Sequence, residues 1–366
     1  MAQPTTRPAH TGISPRAAIA LIVVVLLVAS VAILNLVNVP KVIYRPGPAY
    51  DALGQVNGTD VITVDGIPTY PTSGTLDFTT ITLSGGPRFP VSAWEWLGAH
   101  FDSSSAIANE RDVFPPNVSS AEVREQNLEL MTNSQQQAAV VALRATGTEV
   151  PEEVKVAQVL KDAPADGILK VNDEIVNVNG TDIVTPDDLR AVLQTVTPGE
   201  EAEFTIVRSG KTQEIDVPTG DAQDSSTDPA AESRTIIGIL PVSDFEVPYD
   251  ITINAGSVGG PSAGLMFSLA IYDTITKGEL TGGRDVAGTG TINSEGDVGP
   301  IGGIAQKLIG AHDEGADFFL APAGNCTEVV GHIPEGLKVA KVATFDDARE
   351  VLEAIAEDPD ASLPQC

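Results

Sequence analysis

The chain has 366 residues, of which 42% are hydrophobic and only 5% aromatic, so there is room for two folded units and a non-globular segment. Its 34 glycines and 26 prolines indicate many turns between short elements, which favours a mixed α/β protein over a helical bundle. The formal net charge of -29 would repel phosphate backbones, which argues against nucleic acid as a partner.

An apolar stretch near the N-terminus predicts a membrane span. Residues 17–37 run almost unbroken through Ile, Val, Leu and Ala, which as a helix is enough to cross about 30 Å of hydrocarbon. A cleaved signal peptide is the alternative, because Ser30-Val31-Ala32 has the small-x-small pattern of a cleavage site. The apolar run is longer than a usual signal core and continues past that point to Leu36, which favours an uncleaved transmembrane anchor.

The segment 41–146 is predicted to contain strands followed by one long helix. Alternating apolar and polar side chains, many of them β-branched, predict strands at 60–65 and 74–84. Residues 121–146 have the composition of a helix, and its apolar face is formed by Leu128, Met131, Ala138, Val141 and Ala142.

A change of pattern marks residues 150–220 as a separate β-rich unit. Its strand at 154–160, its turn and strand at 167–180 and its helix at 186–193 together resemble a PDZ domain. Such domains bind an extended peptide as an added strand beside a helix, often with the terminal carboxylate held by backbone N–H groups. This stretch has no clear Gly-Leu-Gly-Phe loop for the carboxylate, so a spacer or docking module without a peptide ligand is the alternative.

The acidic stretch 221–233 has no apolar periodicity and is predicted to be a flexible linker that lets the PDZ-like unit move.

Beyond this linker, residues 234–357 are predicted to form an α/β unit. It has a strand at 249–254, a Gly-rich turn and an apolar helix from Pro261 to about Ile275, followed by further strands and helices.

Ser262 stands in the motif Val258-Gly-Gly-Pro-Ser-Ala-Gly264, at the predicted first turn of the apolar helix. The glycines allow a sharp turn and a close approach of substrate, and proline fits the first helical turn. Backbone N–H groups at this end of a helix stabilise a developing oxyanion, and Gly260, Pro261 and Ala263 form the turn expected to do so. Taken alone, the motif also fits a capping serine or a phosphate-binding turn.

Lys307 lies in a second motif, Pro300-Ile-Gly-Gly-Ile-Ala-Gln-Lys, on a predicted helix. It shares one helical stripe with Ile304, Leu308 and Ala311, so its side chain points where a core residue is expected. An ammonium among apolar neighbours loses hydration, and a pKa drop of about three units would make a neutral amine available near pH 7. The alternative is a lysine whose stem packs while its ammonium reaches water.

The motifs Gly-Pro-Ser-Ala-Gly and Pro-Ile-Gly-Gly-x-x-x-Lys together resemble the Lon protease family, whose peptidases use serine and lysine without histidine. The resemblance covers roughly residues 120–146 and 236–356. It implies that Ser262 is the nucleophile, that Lys307 is its general base and that Thr289 orients the lysine. One departure is Gly259, which stands where many Lon proteases have an acidic residue.

The implied fold is an α/β (α+β) Lon-type proteolytic domain with an inserted PDZ-like β-rich domain and one N-terminal transmembrane helix. The implied partners are polypeptide substrates, cleaved in unfolded or exposed segments, and a homo-oligomeric ring is left open. We expect no cofactor and no metal. We also expect no use of ATP, because Gly210-Lys211-Thr212 ends like a phosphate loop but Thr205 occupies the place of its first glycine.

The arrangement is similar to bacterial anchored proteins that join a PDZ module to a Lon-type peptidase, which implies a single-pass protein of the bacterial cell membrane. Residues 1–16 would be cytoplasmic and the acidic body extracytoplasmic. Basic residues do not decide the orientation, since Arg7 and Arg16 precede the span while Lys41 and Arg45 follow it.

Two rival functions follow from the same residues. A Ser-His-Asp hydrolase would need one of His10, His100, His312 or His332, none of which lies in a recognisable triad motif. From a different class, a membrane-bound PDZ adaptor would retain an inactive protease fold. The two cysteines, Cys326 and Cys366, exclude a multi-cysteine metal site. They are able to pair if the body is extracytoplasmic, and a free Cys366 is the alternative.

Overall fold

The computed structural model describes residues 15–114, 119–222 and 233–366, which leaves most of the predicted cytoplasmic segment 1–16 and linker 221–233 outside the described residues. The chain divides into two compact units. The first contains the described residues up to Ala142 together with Ile251–Cys366, and the second is Leu143–Asp250. The predicted PDZ-like range 150–220 therefore lies within a longer unit.

Helices of eight or more residues alternate with short helices and strands along the chain. The helices are α1 Pro15–Leu36, α2 Ala93–Phe101, α3 Glu110–Val113, α4 Ser120–Ala145, α5 Pro186–Leu193, α6 Gly264–Ile275, α7 Ile304–Asp313, α8 Cys326–Val329 and α9 Phe345–Glu357, with a 3-10 turn at Ala323–Asn325.

The strands before the second unit are β1 Asn38–Val39, β2 Lys41–Asp51, β3 Gln55–Val56, β4 Thr59–Asp60, β5 Ile62–Asp65, β6 Thr75–Ser84, β7 Val91–Ser92 and β8 Ala106–Asn109. Those of the second unit are β9 Glu152–Val159, β10 Glu174–Val178, β11 Thr181–Asp182, β12 Glu201–Arg208, β13 Lys211–Pro218, β14 Gly220–Asp221, β15 Thr235–Ile236 and β16 Ile239–Phe245. The remaining strands are β17 Asp250–Ile253, β18 Asp285–Gly288, β19 Thr291–Ile292, β20 Val298–Gly299, β21 Phe318–Pro322 and β22 Lys338–Val342. The predicted mixture of helix and strand is thus confirmed.

The main sheet of the first unit has the strand order β22-β21-β18-β6-β2-β8. Strands β22, β21, β18 and β6 run parallel, whereas β2 pairs antiparallel with both β6 and β8. Parallel neighbours need crossover connections that cover the sheet, and β21 is accordingly buried along its whole length. Helix α7 supplies the crossover between β18 and β21, which brings the Lys307 motif against the sheet.

Helix α6 is the buried helix of this unit. Most of its residues are buried, and the ring of Phe267 packs against that of Phe78 of β6 with the ring centroids 5.0 Å apart. It begins at Gly264, later than the predicted start at Pro261, so Ser262 precedes the helix. At Gly264 a Cβ atom would lie only 2.5 Å from the Ser134 hydroxyl of α4, so the close contact between α4 and α6 requires glycine.

Helix α1 is exposed and apolar. An 18-residue window from Ile19 to Leu36 has a mean hydropathy of 3.0 and is 0% buried. By length and composition this helix is able to cross a membrane.

The second unit is built on a sheet with the order β13-β12-β10-β9-β16, and β11 pairs with β10. Alternate side chains of these strands pack with α5 into a core that contains Phe204, Ile206 and Leu189. Strand β16 pairs antiparallel with β9 and lies at the end of that strand order. The strand that closes this sheet is therefore supplied by residues that follow the predicted linker.

Candidate active site

Ser262, Lys307 and Thr289 come together from three separate elements. Ser262 lies in the turn before α6, Lys307 lies in α7, and Thr289 directly follows β18. The Lys307 Nζ atom lies 2.8 Å from Ser262 Oγ and donates a second hydrogen bond of 2.8 Å to Thr289 Oγ1. The Thr289 hydroxyl donates in turn to the Ser262 carbonyl oxygen at 2.9 Å, which also accepts from the Gly290 N–H at 2.8 Å. One threonine thus holds both the amine and the backbone of the serine.

The surroundings of Lys307 are apolar. Its side chain is only 2% exposed, and its stripe neighbours Ile304, Leu308 and Ala311 are completely buried in one cluster with the sheet. Because burial penalises the charged ammonium, the pKa of Lys307 falls from 10.5 to about 7. A large fraction of this amine is therefore neutral near pH 7.

Helix α4 supports the turn that carries Ser262. The Gly260 N–H donates to the Asn127 carbonyl oxygen at 2.9 Å, and the Ser134 hydroxyl donates to the Pro261 carbonyl oxygen at 2.9 Å. Gly260 has φ +90°, a conformation that favours glycine. Since the Gly260 N–H is engaged and proline has none, Ala263 is the member of the predicted oxyanion turn whose N–H remains as a candidate donor.

A buried asparagine holds the loop that leads into α7. The Asn325 side chain accepts from the Ile301 N–H at 2.9 Å and donates to the Ile301 carbonyl oxygen at 2.8 Å, and the asparagine is only 2% exposed. Gly303 follows with φ +73°, directly before the first residue of α7. This amide therefore fixes where the helix carrying Lys307 begins.

Asn127, Ser134 and Asn325 were missed by sequence reasoning. A weak signal existed for Ser134, which lies within residues 120–146, part of the range that resembles a Lon proteolytic domain. Nothing in the sequence around Asn325 marks it, because its partner is the backbone of a residue 24 positions away.

Ser262 and Lys307 line a cleft of about 1060 Å³. Its walls come from β2, β6, α4, α7 and the loop after α2, and they include Tyr44, Tyr50, Thr79, Met131 and Ser105.

Of the histidines considered for a Ser-His-Asp triad, His332 lines this cleft but contacts the Glu328 carbonyl oxygen, while His10 is outside the described residues. Among the described residues no group of three or more His, Cys, Asp or Glu side chains is placed to hold a metal.

A second concave site of about 510 Å³ lies within the second unit, between α5 and β16. It is lined mainly by apolar side chains, among them Leu189, Leu193, Ile236 and Leu240. At the start of β16, Gly238 has φ +78°, and a Cβ there would lie 2.1 Å from the Ala163 Cβ. A glycine turn beside an edge strand and a helix is thus present, and it lies beyond residues 150–220, which have no clear Gly-Leu-Gly-Phe loop.

Comparison with known proteins matches both units. Residues 244–357 match the family model of the Lon protease (S16) C-terminal proteolytic domain, and residues 123–219 match the PDZ domain. The predicted resemblance to both is therefore confirmed.

Among curated relatives, Lon protease 1 of Bacillus subtilis (strain 168) is 35% identical over 121 residues, which are 31% of this chain and 15% of that protein. A probable periplasmic serine endoprotease DegP-like of Ectopseudomonas mendocina (strain ymp) is 39% identical over 90 residues, 24% of this chain and 19% of that protein. Among solved structures, the PDZ domain of an SdrC-like protein from Listeria innocua matches 24% of this chain and 92% of its own, with 24% identity and a TM-score of 0.21. The chain therefore spans less than a fifth of the length of these two curated relatives.

Proposed function

We propose that this chain, which carries a Lon-type proteolytic domain and a PDZ domain, is an ATP-independent, membrane-anchored serine endopeptidase of unfolded or exposed polypeptide segments. The observation that carries the proposal is the 2.8 Å contact between Lys307 Nζ and Ser262 Oγ at the floor of an open cleft. A neutral amine at that distance from a hydroxyl is an arrangement suited to nucleophilic catalysis.

In the proposed acylation step, the neutral Lys307 amine takes the Ser262 hydroxyl proton while Oγ bonds to the scissile carbonyl carbon. The carbonyl π electrons move onto its oxygen, and the N–H groups of Ser262 and Ala263 stabilise this oxyanion. When the oxyanion collapses, the C–N bond breaks and the Lys307 ammonium gives its proton to the departing amine. The products are a free amine and an acyl-serine.

Deacylation repeats the step with water. The neutral Lys307 amine accepts a proton from a water molecule, whose oxygen bonds to the acyl carbon, and the ammonium then returns a proton to Ser262 Oγ as the ester bond breaks. In this scheme Thr289 contacts the Lys307 Nζ atom but exchanges no proton with the substrate. Its two hydrogen bonds keep the amine and the serine backbone at a fixed separation.

Peptide capture by the second unit is a further proposed function. Among the described residues β16 is the last strand on its side of the sheet. The apolar site between α5 and β16 is suited to an extended segment added as a strand at that edge, with its side chains against Leu189 and Leu193. Backbone N–H groups of the Gly238 turn are candidates to bind a terminal carboxylate. In this scheme the PDZ unit selects chains or exposed tails and controls their access to the dyad.

Two observations support an anchored protein with an extracytoplasmic body. Helix α1 is long and apolar enough for a single span. Cys326 and Cys366 form a disulfide bond, which persists in oxidising compartments outside the cytoplasm. Protease added to intact spheroplasts should digest the body, and full protection would refute this orientation.

A reagent that labels active-site serines tests the enzymatic proposal against the inactive-adaptor alternative. The wild-type chain should be labelled, and the Ser262→Ala variant should not. Cleavage of an unstructured polypeptide should proceed equally with and without added ATP. An unlabelled wild type that still binds peptides through its PDZ unit would favour the adaptor.

A further inference from the structure

The short helix α2 has an exposed apolar face. On its inner side, Ala99 is buried and Trp96 packs against a small cluster with Ile43 and Val91. On the opposite side lie Trp94, Leu97 and Phe101, which are 45%, 37% and 85% exposed. Their spacing of three and then four residues aligns them in one stripe, called here the outer face of α2.

Charge is absent from this outer face. The acidic residue of α2, Glu95, is held by Ser92 in a capping box at the start of the helix. Phe89 is 80% exposed and lies two residues before β7, so that it adds a third aromatic side chain close to the start of α2. Several large apolar side chains exposed together mark a surface that binds something apolar.

The position of α2 indicates what that partner is. The Ala93 N–H donates to the Val37 carbonyl oxygen at 2.7 Å, and β1 and β7 pair directly beside this bond. The apolar window of α1 ends at Leu36, so α2 begins within one hydrogen bond of the chain that leaves the proposed span. The headgroup layer of a bilayer is about 5–8 Å thick on each side, and tryptophan is enriched there.

We infer that the outer face of α2, together with Phe89, inserts into the headgroup layer of the same bilayer that α1 spans. The inference rests on the proposed membrane anchor, because α1 must be in the bilayer for α2 to reach it. Contact is made by apolar and aromatic side chains and not by charge, since the net charge of -29 would oppose attraction to anionic lipids. In a zwitterionic bilayer, docking at this face is therefore expected to depend little on salt.

Docking of α2 has a consequence for the substrate. The helix leads directly into the loop 102–105, whose Ser103 and Ser105 line the active-site cleft. The Ser104 carbonyl oxygen accepts a hydrogen bond of 3.2 Å from the side chain of Gln306, the neighbour of Lys307. A docked α2 thus holds one wall of the cleft near the bilayer surface. Polypeptide segments that leave or lie along the membrane are the substrate class this position favours.

The two tryptophans of the chain permit a matched experiment, since both lie in α2. Trp96→Phe leaves Trp94 on the outer face as the sole tryptophan, and Trp94→Phe leaves Trp96 on the inner side. The full chain of each variant is reconstituted in phosphatidylcholine vesicles, either plain or brominated near the carbonyl end of the acyl chains. We expect bromine to quench most of the Trp94 fluorescence and little of the Trp96 fluorescence, at low and at high salt.

Flotation with the vesicles reports the α1 anchor separately, and circular dichroism during heating reports folding. If the Trp96→Phe chain is folded and floats but its Trp94 fluorescence is not quenched, the inference that α2 docks on the bilayer is wrong, while the proposed α1 anchor stands. If quenching is absent because a second copy or another protein covers Trp94, the inference fails equally. In the Trp96→Phe background, Leu97→Asp should leave flotation unchanged and reduce the quenching. If neither the Trp96→Phe chain nor the Trp94→Phe chain floats, the proposal that α1 anchors the protein is wrong, and the inference about α2 is wrong with it.

Discussion

The two units place a lysine in opposite environments. Lys307 in the first unit is enclosed by apolar side chains, and burial lowers its pKa to about 7. Lys155 in the second unit lies between Asp244 and Glu153, and these carboxylates raise its pKa. The same residue type is therefore a candidate base in one unit and a permanently protonated cation in the other. The cause is the difference in local charge and hydration.

The sharpest contrast is expected when each lysine is replaced. Lys307→Arg should lose on the order of 10⁴-fold or more in kcat/KM for a short peptide, since a guanidinium stays protonated and cannot act as a base. Ser262→Ala should reduce kcat/KM by a similar factor. Lys307→Met should be inactive yet folded, because it fills the apolar space without a buried charge.

The matched control is Lys155→Met, which changes the paired lysine of the other unit and should leave short-peptide cleavage near the wild-type rate. Peptide cleavage and circular dichroism are measured for all four variants. A folded Lys307→Met or Lys307→Arg enzyme with near-full activity would eliminate the proposed dyad.

The pH dependence of the wild-type enzyme tests the lowered pKa of Lys307 directly. Because the reactive form is the neutral amine, kcat/KM should rise about tenfold per pH unit below about 7 and level off above it. Hydrolysis of one peptide is followed across this range. If kcat/KM keeps rising up to the ordinary lysine pKa, burial does not lower the pKa of Lys307.

Thr289→Val tests how the amine is held. The valine keeps the shape but removes the hydroxyl that contacts both Lys307 and the Ser262 carbonyl oxygen. A hydrogen bond to a charged group contributes about 1.5–3 kcal/mol, so kcat should fall roughly 10- to 100-fold with little change in KM. Thr289→Ser, which retains the hydroxyl, is the control and should recover most of the activity.

Leu240→Glu tests the proposed peptide-capture site of the second unit. Leu240 is 52% exposed and lines the site between α5 and β16, so a carboxylate there should disfavour an apolar ligand. We expect KM for an unfolded protein substrate to rise about tenfold, equivalent to about 1.4 kcal/mol of binding, while short-peptide cleavage is unchanged. Val184→Glu, at an equally exposed position that does not line this site, is the control. Equal loss on both substrates would indicate that the unit only maintains the fold.

The last prediction concerns stability. Since the folded-state pKa of Lys307 is lowered to about 7 while the unfolded chain keeps about 10.5, the unfolded state binds more protons between these values. The free energy of unfolding should therefore increase with pH in this window, by at most about 1.4 kcal/mol per pH unit. Denaturant titrations at several pH values measure the slope, and Lys307→Met should abolish it. Lys155→Met should not.

Much of this molecule was predictable from short-range sequence patterns. The apolar run of α1, the helical stripe of Lys307 and the Gly-Pro-Ser-Ala-Gly motif are local, because helical period and turn chemistry depend on neighbouring residues. The resemblance to the Lon proteolytic domain and the PDZ domain, confirmed by the matched families, depended on such motifs. The roles of Ser262, Lys307 and Thr289 remain predictions.

Other features depended on tertiary contacts between distant residues. Asn325 binds the backbone of Ile301, and Ser134 binds the backbone of Pro261 across 127 positions of sequence. Strand β16 completes a sheet whose other strands precede the linker, and the Gly238 turn beside it also lies beyond residues 150–220. Residue types and local motifs were enough to identify the side chains suited to the chemistry. Which backbone groups hold them depended on the fold, because a side-chain donor or acceptor bonds whichever complementary backbone group is brought within reach.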